Sequence, residues 1–424
     1  MKRRLARPNG RGEAPFFRFS ARVCMAQRIR DHMERKVSMK KRLAFILAGV
    51  LALSACSAGG TPSSSDSASG ESSLKAETLA SSAEEPLPEP DNNWQFDTPE
   101  NHNMDSAVFD ALHAALPGSG IHAVVTVKDG AVVDEYYEEG YNENTLFPLH
   151  SASKSFTSAL VGIAIDEGDI GGVDDLLSDY LPQAAQMTDG KQNLTLRHLL
   201  TQTSGLEWYE WGGGYSNWEE FRSAENWVDY ILGRELIYQP GAVFNYSTGN
   251  THLLSAVLQA ATGRNQEEYC REKLFDPMGI SGEAHWGADP QGVADGGNGV
   301  LISARDAAKF GQLFLDGGNW RGRQLVPAAW VEESTSVQNA GPGSTGQYGY
   351  QWWIQPYAPG QYGTYATPYP SALYDTYFAF GYAGQFIYVV PELDLVAVFA
   401  SSCQSSYGPR PYFTDYILNA YKGE

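Results

Sequence analysis

A chain of 424 residues with 42% apolar side chains can bury a sizeable core, which excludes a wholly disordered protein. The formal charge of −20 is unevenly spread: residues 1–56 carry 14 Lys/Arg against 3 Asp/Glu, leaving 16 against 47, a net of −31, in residues 57–424. So acidic a body has no basic stripe to neutralise phosphates, which excludes nucleic acid as a partner and leaves a solubilising surface as the use of the charge.

In chain order, the first organised feature is an address. Met39-Lys40-Lys41-Arg42 is a basic start, LAFILAGVLAL (43–53) a short apolar run, and Leu53-Ser54-Ala55-Cys56 closes it with small residues and a cysteine. The run is too short for an ordinary membrane span. LSAC resembles the bacterial lipobox, which implies cleavage before Cys56, lipidation of that cysteine and export to the outer side of the cell membrane. Residues 1–38 precede a complete signal and lack hydrophobic periodicity, so they read as an upstream segment outside the fold. Residues 57–93, rich in Ser, Gly, Pro and acids, cannot bury enough apolar surface to order themselves and read as a tether. The globular part is expected over 94–424. Its two cysteines, Cys270 and Cys403, are expected to be unpaired, packed thiols.

Within that part, DSAVFDALHAAL (105–116) has the spacing of an amphipathic helix. IHAVVTVKDGAVVDEYYEEG (121–140) is a strand, a Lys-Asp-Gly turn and a second strand. A helix is predicted from about 152 to 167, then short helices and loops to about 290. FIYVVPELDLVAVFAS (386–401) forms a second hairpin around Pro391-Glu392-Leu393-Asp394, and 411–421 a closing helix. Strands at both ends with helices between them predict an α+β fold: an antiparallel sheet assembled from the chain ends and flanked by helices, with a helical subdomain inserted.

The chemistry begins with LHSASKSFT (149–157). A serine at a helix start with a lysine one turn on puts both on one face. The helix N-terminus suits an oxyanion and disfavours an adjacent ammonium, so a desolvated lysine there can serve as base for the serine. The spacing alone is weak. Ser-x-x-Lys occurs three times, at Ser38–Lys41, Ser72–Lys75 and Ser151–Lys154, and only the last precedes a helix with an apolar face. Even there Ser151 could be a plain N-cap. No Gly-x-Ser-x-Gly elbow, His-Glu-x-x-His or Cys/His cluster supports another hydrolase class, a metal or a cofactor. His150 beside Ser151 reads as structural.

LHSASKSFTSALVGIAIDEG (149–168), LTLRHLLTQTSGLEW (194–208), FNYSTGNTHLLSAVLQAATG (244–263) and GYAGQFIYVVPELDLVAV (381–398) occur in the order of the landmarks of the β-lactamase-related serine hydrolases. That superfamily contains class C β-lactamases, DD-peptidases and esterases. TSGLEW, YSTGNTHLLS and GQFIYVVPELDLV are most similar to the branch containing 6-aminohexanoate-dimer hydrolase. The resemblance spans about residue 97 to the C-terminus and implies the serine β-lactamase/penicillin-binding-protein-like fold. It implies Ser151 as nucleophile, Lys154 as its base, Tyr246 as proton shuttle, and the backbone N–H groups of Ser151 and Tyr382 as oxyanion donors. Thr248 and Gly381 are expected beside a small amide or ester substrate, Gly381 letting its strand approach closely. LEWYEWGGGYSNW (206–218) sets Trp208, Trp211 and Tyr215 around three glycines, which reads either as an aromatic loop over the substrate pocket or as the packing of a long loop. Two departures stand out. The Tyr-x-Asn position reads Tyr246-Ser247-Thr248, so its amide is absent, and Asn250 two residues on is expected to cap the following helix. The Lys-Thr-Gly or His-x-Gly position falls at Ala379-Phe380-Gly381, without the cation that would pair a substrate carboxylate. The expectation is an exported, membrane-tethered serine hydrolase of amides or esters. A penicillin-binding DD-carboxypeptidase, a class C-like β-lactamase and a non-catalytic envelope binding protein on the same fold are the alternatives.

Overall fold

A computed structural model describes residues 92–210, 216–342, 345–356 and 374–423. The expected signal with Cys56, the tether up to residue 91, Trp211, Tyr215 and residues 357–373 lie outside the described residues. The chain divides into two units, Met1–Glu85 and Pro86–Glu424, and every described residue belongs to the second.

Eight strands form the main sheet: β1 (Gln95–Phe96), β2 (Ile121–Lys128), β3 (Ala131–Tyr137), β4 (Gln347–Tyr348), β5 (Trp353–Gln355), β6 (Thr376–Gly381), β7 (Gln385–Val390) and β8 (Leu395–Ser401). Their order is β1-β3-β2-β8-β7-β6-β5-β4. β2 and β3 are joined by Asp129-Gly130, with φ of 50° and 78°, a turn whose left-handed residues match the twist of the strands it connects. β8 pairs antiparallel with β2, Val398 opposite Val125, so the two ends of the chain do meet in the middle of the sheet. One expectation is corrected at the edge: Gln95 pairs in parallel with Ala131, so the sheet is mixed there. Two residues of extended chain entering beside β3 suffice for that.

Alternation along the strands divides the interior into two cores. Ala123, Val125, Val127, Ile387, Val389, Val396 and Val398 point to one face. Val124, Phe386, Tyr388, Ala397 and Phe399 point to the other. The second face is covered by α1 (Ser106–Ala115), through Phe109 and Leu112, and by the helical turns Arg410–Ala420, through Phe413 and Ile417. The first is covered by α2 (Ser153–Asp166) and α4 (Ala304–Leu315), with α3 (Thr248–Thr262) packed behind α2. α4 comes so close at Gly311 that a Cβ there would lie 2.6 Å from Val396 Cγ1.

α2 is buried on all sides from Ser153 to Ala164. Phe156 anchors it, stacked on Phe310 at 3.6 Å between ring centroids and edge-on to Phe275 and Trp286. A buried hydroxyl on such a helix must find a partner, and three do. Ser153 Oγ accepts from the Val300 N–H (3.1 Å), Ser155 Oγ donates to the Gln351 carbonyl (2.8 Å), and Thr157 Oγ1 donates to the Gly296 carbonyl (2.7 Å). These bonds tie α2 to the short strand Val300–Ser303, to the chain before β5 and to the loop 294–299. Cys270 and Cys403 are free and buried, as expected.

Candidate active site

Ser151 is not a cap. It sits in a 3-10 turn, His150–Ala152, just before α2, whose N-cap is Ala152 with no side-chain capping bond. The turn opens on His150 at φ 48°, in the left-handed region that non-glycine residues seldom occupy outside functional or tight turns. From outside, the turn is gripped by the end of β6. A Cβ on Gly381 would lie 2.1 Å from the Leu149 carbonyl oxygen and 3.2 Å from the Ala152 nitrogen. Only glycine permits that approach. It also sets Tyr382 beside the turn carrying Ser151, where its ring meets His150 edge-on at 5.7 Å. Burial lowers the His150 pKa, and the side chain hydrogen-bonds Asn298, in keeping with a structural residue.

Lys154 lies one turn into the helical segment and is buried. Its Nζ reaches Ser151 Oγ at 3.0 Å, Thr248 Oγ1 at 2.9 Å and the Gly297 carbonyl at 2.8 Å. Burial drives its pKa down to about 8, against the pull of the Glu210 and Asp295 carboxylates. Tyr246, just before α3, is buried as well, with its ring centroid 5.0 Å from Lys154 Nζ and its hydroxyl hydrogen-bonded to Ser151. Burial raises the Tyr246 pKa well above the ordinary phenol value, so it stays a neutral hydroxyl beside Ser151. The three residues expected from distant segments therefore converge on one oxygen atom.

Other expectations need correction. Trp208 does not wall a pocket: it is 2% exposed, packed edge-on against Phe221 and Tyr230, and its indole N–H donates to Glu210. Its apolar surface is worth more inside than on a loop. Thr248 offers no free hydroxyl to substrate, because Lys154 and Glu210 share it. Asn250 does not cap α3. Ser247 does so, accepting from the Asn250 N–H, while the Asn250 amide donates to Gln202 at 2.9 Å inside the helix packing.

Three contributors went unread in the sequence. Gly297 supplies the carbonyl that fixes Lys154, and a Cβ there would lie 2.8 Å from Thr248 Cγ2. A Cβ on Gly296 would lie 2.9 Å from that of Ser255. The adjacent glycines in ADGGNG (294–299) were the available signal for so close an approach. Asp295, buried, takes an Arg222 guanidinium at 2.6 Å, and burial raises its pKa. Glu210 accepts from the Thr248 N–H at 2.9 Å as well as from its hydroxyl. Among the described residues no group of three or more His, Cys, Asp or Glu is placed to hold a metal ion.

A serine oxygen held by a buried lysine of lowered pKa and a neutral buried tyrosine can act as a nucleophile toward a carbonyl. The family model described as Beta-lactamase matches residues 107–422. An uncharacterised protein of Alkalihalophilus pseudofirmus is 27% identical, the match covering 66% of this chain and 83% of that one. The 6-aminohexanoate-dimer hydrolase of Paenarthrobacter ureafaciens is 26% identical, over 57% of this chain and 66% of its own length. A solved structure of a Bacillus anthracis protein assigned as a 6-aminohexanoate-dimer hydrolase shares the fold, with a TM-score of 0.62 at 23% identity over 73% of this chain and 80% of that one.

Proposed function

Because the chain belongs to the β-lactamase family of serine hydrolases, we propose that it cleaves a linear amide or ester through an acyl intermediate on Ser151. The carrying observation is the contact of Lys154 Nζ with Ser151 Oγ at 3.0 Å by a lysine that burial brings down to about 8. As Ser151 Oγ attacks the carbonyl carbon, its proton passes to the neutral Lys154 amine. Negative charge collects on the former carbonyl oxygen, where the Ser151 and Tyr382 N–H groups stabilise it. Collapse of the tetrahedral adduct breaks the bond to the leaving amine or alcohol, which takes its proton from the Lys154 ammonium through the Tyr246 hydroxyl. Water, giving up a proton along the same path, then hydrolyses the acyl ester and frees Ser151. Tyr246 serves as a neutral relay because burial keeps its phenol protonated.

Nothing at Ala379-Phe380, both buried, supplies a cation for a substrate carboxylate. That favours linear amides or esters without a carboxylate at this place over β-lactams and peptide C-termini. The relative called 6-aminohexanoate-dimer hydrolase supports a linear amide as the substrate. The test is to assay nitrophenyl esters and linear amides with the wild type and with Ser151→Ala. We expect the variant to lose activity by about 10³-fold or more. Turnover at the wild-type rate would remove Ser151 from the mechanism.

A further inference from the structure

We propose that Glu210 is a positioning residue that aims Lys154 at the nucleophile, acting through the Thr248 hydroxyl. The inference rests on the assignment of Ser151 and Lys154 made above and concerns a residue that assignment does not use.

The Thr248 hydroxyl has one proton, and it goes to a Glu210 carboxylate oxygen, which can only accept. The carboxylate is itself held, since it also receives the Thr248 N–H at 2.9 Å and the Trp208 indole N–H. It stands at the first turn of the 15-residue α3, where the helix dipole favours a negative charge. With its proton committed, Thr248 Oγ1 can offer Lys154 only lone pairs, and the Gly297 carbonyl likewise can only accept. A neutral lysine has two N–H groups and one lone pair. Two of its three contacts, Thr248 Oγ1 at 2.9 Å and the Gly297 oxygen at 2.8 Å, therefore consume both hydrogens. The lone pair is left facing Ser151 Oγ at 3.0 Å, as a general base requires. Without the carboxylate, the Thr248 hydroxyl could turn and donate to Lys154, drawing the lone pair away from Ser151. Trp208 thus contributes from the core, by holding Glu210.

Glu210 also acts by charge. Lys154 is faced by the carboxylates of Glu210 and Asp295, the Tyr246 phenol, the Ser151 hydroxyl and, beside the turn, the His150 ring. Of these, the two carboxylates favour the ammonium and oppose the effect of burial. Removing one must lower the Lys154 pKa further, so the neutral base forms at lower pH.

The test measures the rate at which a fluorophosphonate probe modifies Ser151 across about pH 5 to 10, which brackets the lysine titration. It compares wild type, Glu210→Gln, Thr248→Val and Thr248→Ser, each with its melting temperature. We expect Glu210→Gln to shift the acid limb to lower pH and to lower the plateau rate about tenfold or more. Thr248→Val should lower the plateau similarly, and Thr248→Ser, which keeps the hydroxyl, should stay within about threefold of wild type. A folded Glu210→Gln with an unmoved limb would make Glu210 a mere helix cap, and one with a wild-type plateau would remove the aiming role; either overturns the proposal. If Glu210→Gln melts too early to assay, the Thr248 pair decides: equal rates for Val and Ser overturn it. Probe incorporation into Ser151→Ala at the wild-type rate would instead sink the underlying assignment.

Discussion

Two opposing effects meet on Lys154. Desolvation lowers its pKa to about 8, while Glu210 and Asp295 hold it from falling further. The base is the neutral amine, so its fraction, and the acylation rate with it, rises as pH climbs through about 8. We therefore predict a kcat/KM profile with an acid limb near that value, checked by steady-state assays of an uncharged ester. A limb in the ordinary carboxylate range would hand the base role to another group. That Ser151, Lys154 and Tyr246 belong to one site was readable from the sequence, because they fall in motif order. Their support was not. Ser153, which has no role by motif, pins the nucleophile turn to Val300, and Glu210 reaches Lys154 across 56 residues of chain through a threonine. Such contacts depend on where loops return, and local pattern carries no record of that.

The elements obey the same division. α2 was legible as a helix because its apolar residues recur at helical spacing. That it is buried all round was not, because four of its residues are hydroxylic and look solvent-facing in sequence. Their hydrogen bonds to strands and loops make the reverse true, Ser158 Oγ being left without one. Phe156 holds this helix against α4 by stacking on Phe310. We predict that Phe156→Ala lowers stability by about 3–5 kcal/mol, because the rigid aromatic surround cannot collapse into the space. Denaturant unfolding measures it, and a loss under about 1 kcal/mol would mean that the site repacks. Both hairpins were legible from their turns, Asp129-Gly130 and Pro391 to Asp394. The edge pairing of β1 was not, since two residues carry no period. The mistaken pocket role for Trp208 came from counting aromatics around glycines, a pattern that does not tell a loop lining from a core.

At the scale of the molecule, strands from both chain ends enclose a helical middle. The turn carrying Ser151 is clamped by the sheet, through Gly381, and Lys154 by the loop carrying Gly297. Neither clamp is adjacent to Ser151 in sequence, which is why Ser-x-x-Lys alone could not tell a cap from a catalyst. The same scale includes the leader. We propose that Cys56 is lipidated and tethers the exported enzyme to the membrane. Cys56→Ser should then fail to incorporate labelled fatty acid and should leave the membrane fraction, whereas unchanged membrane retention would refute the anchor. The central claim is the acyl bond to Ser151, and its most direct measurement is intact mass spectrometry of the enzyme quenched during turnover of a slow ester, followed by peptide mapping. A mass increase equal to the acyl group, located on Ser151 and absent from Ser151→Ala, is expected. An active enzyme that carries its adduct on another residue would contradict it.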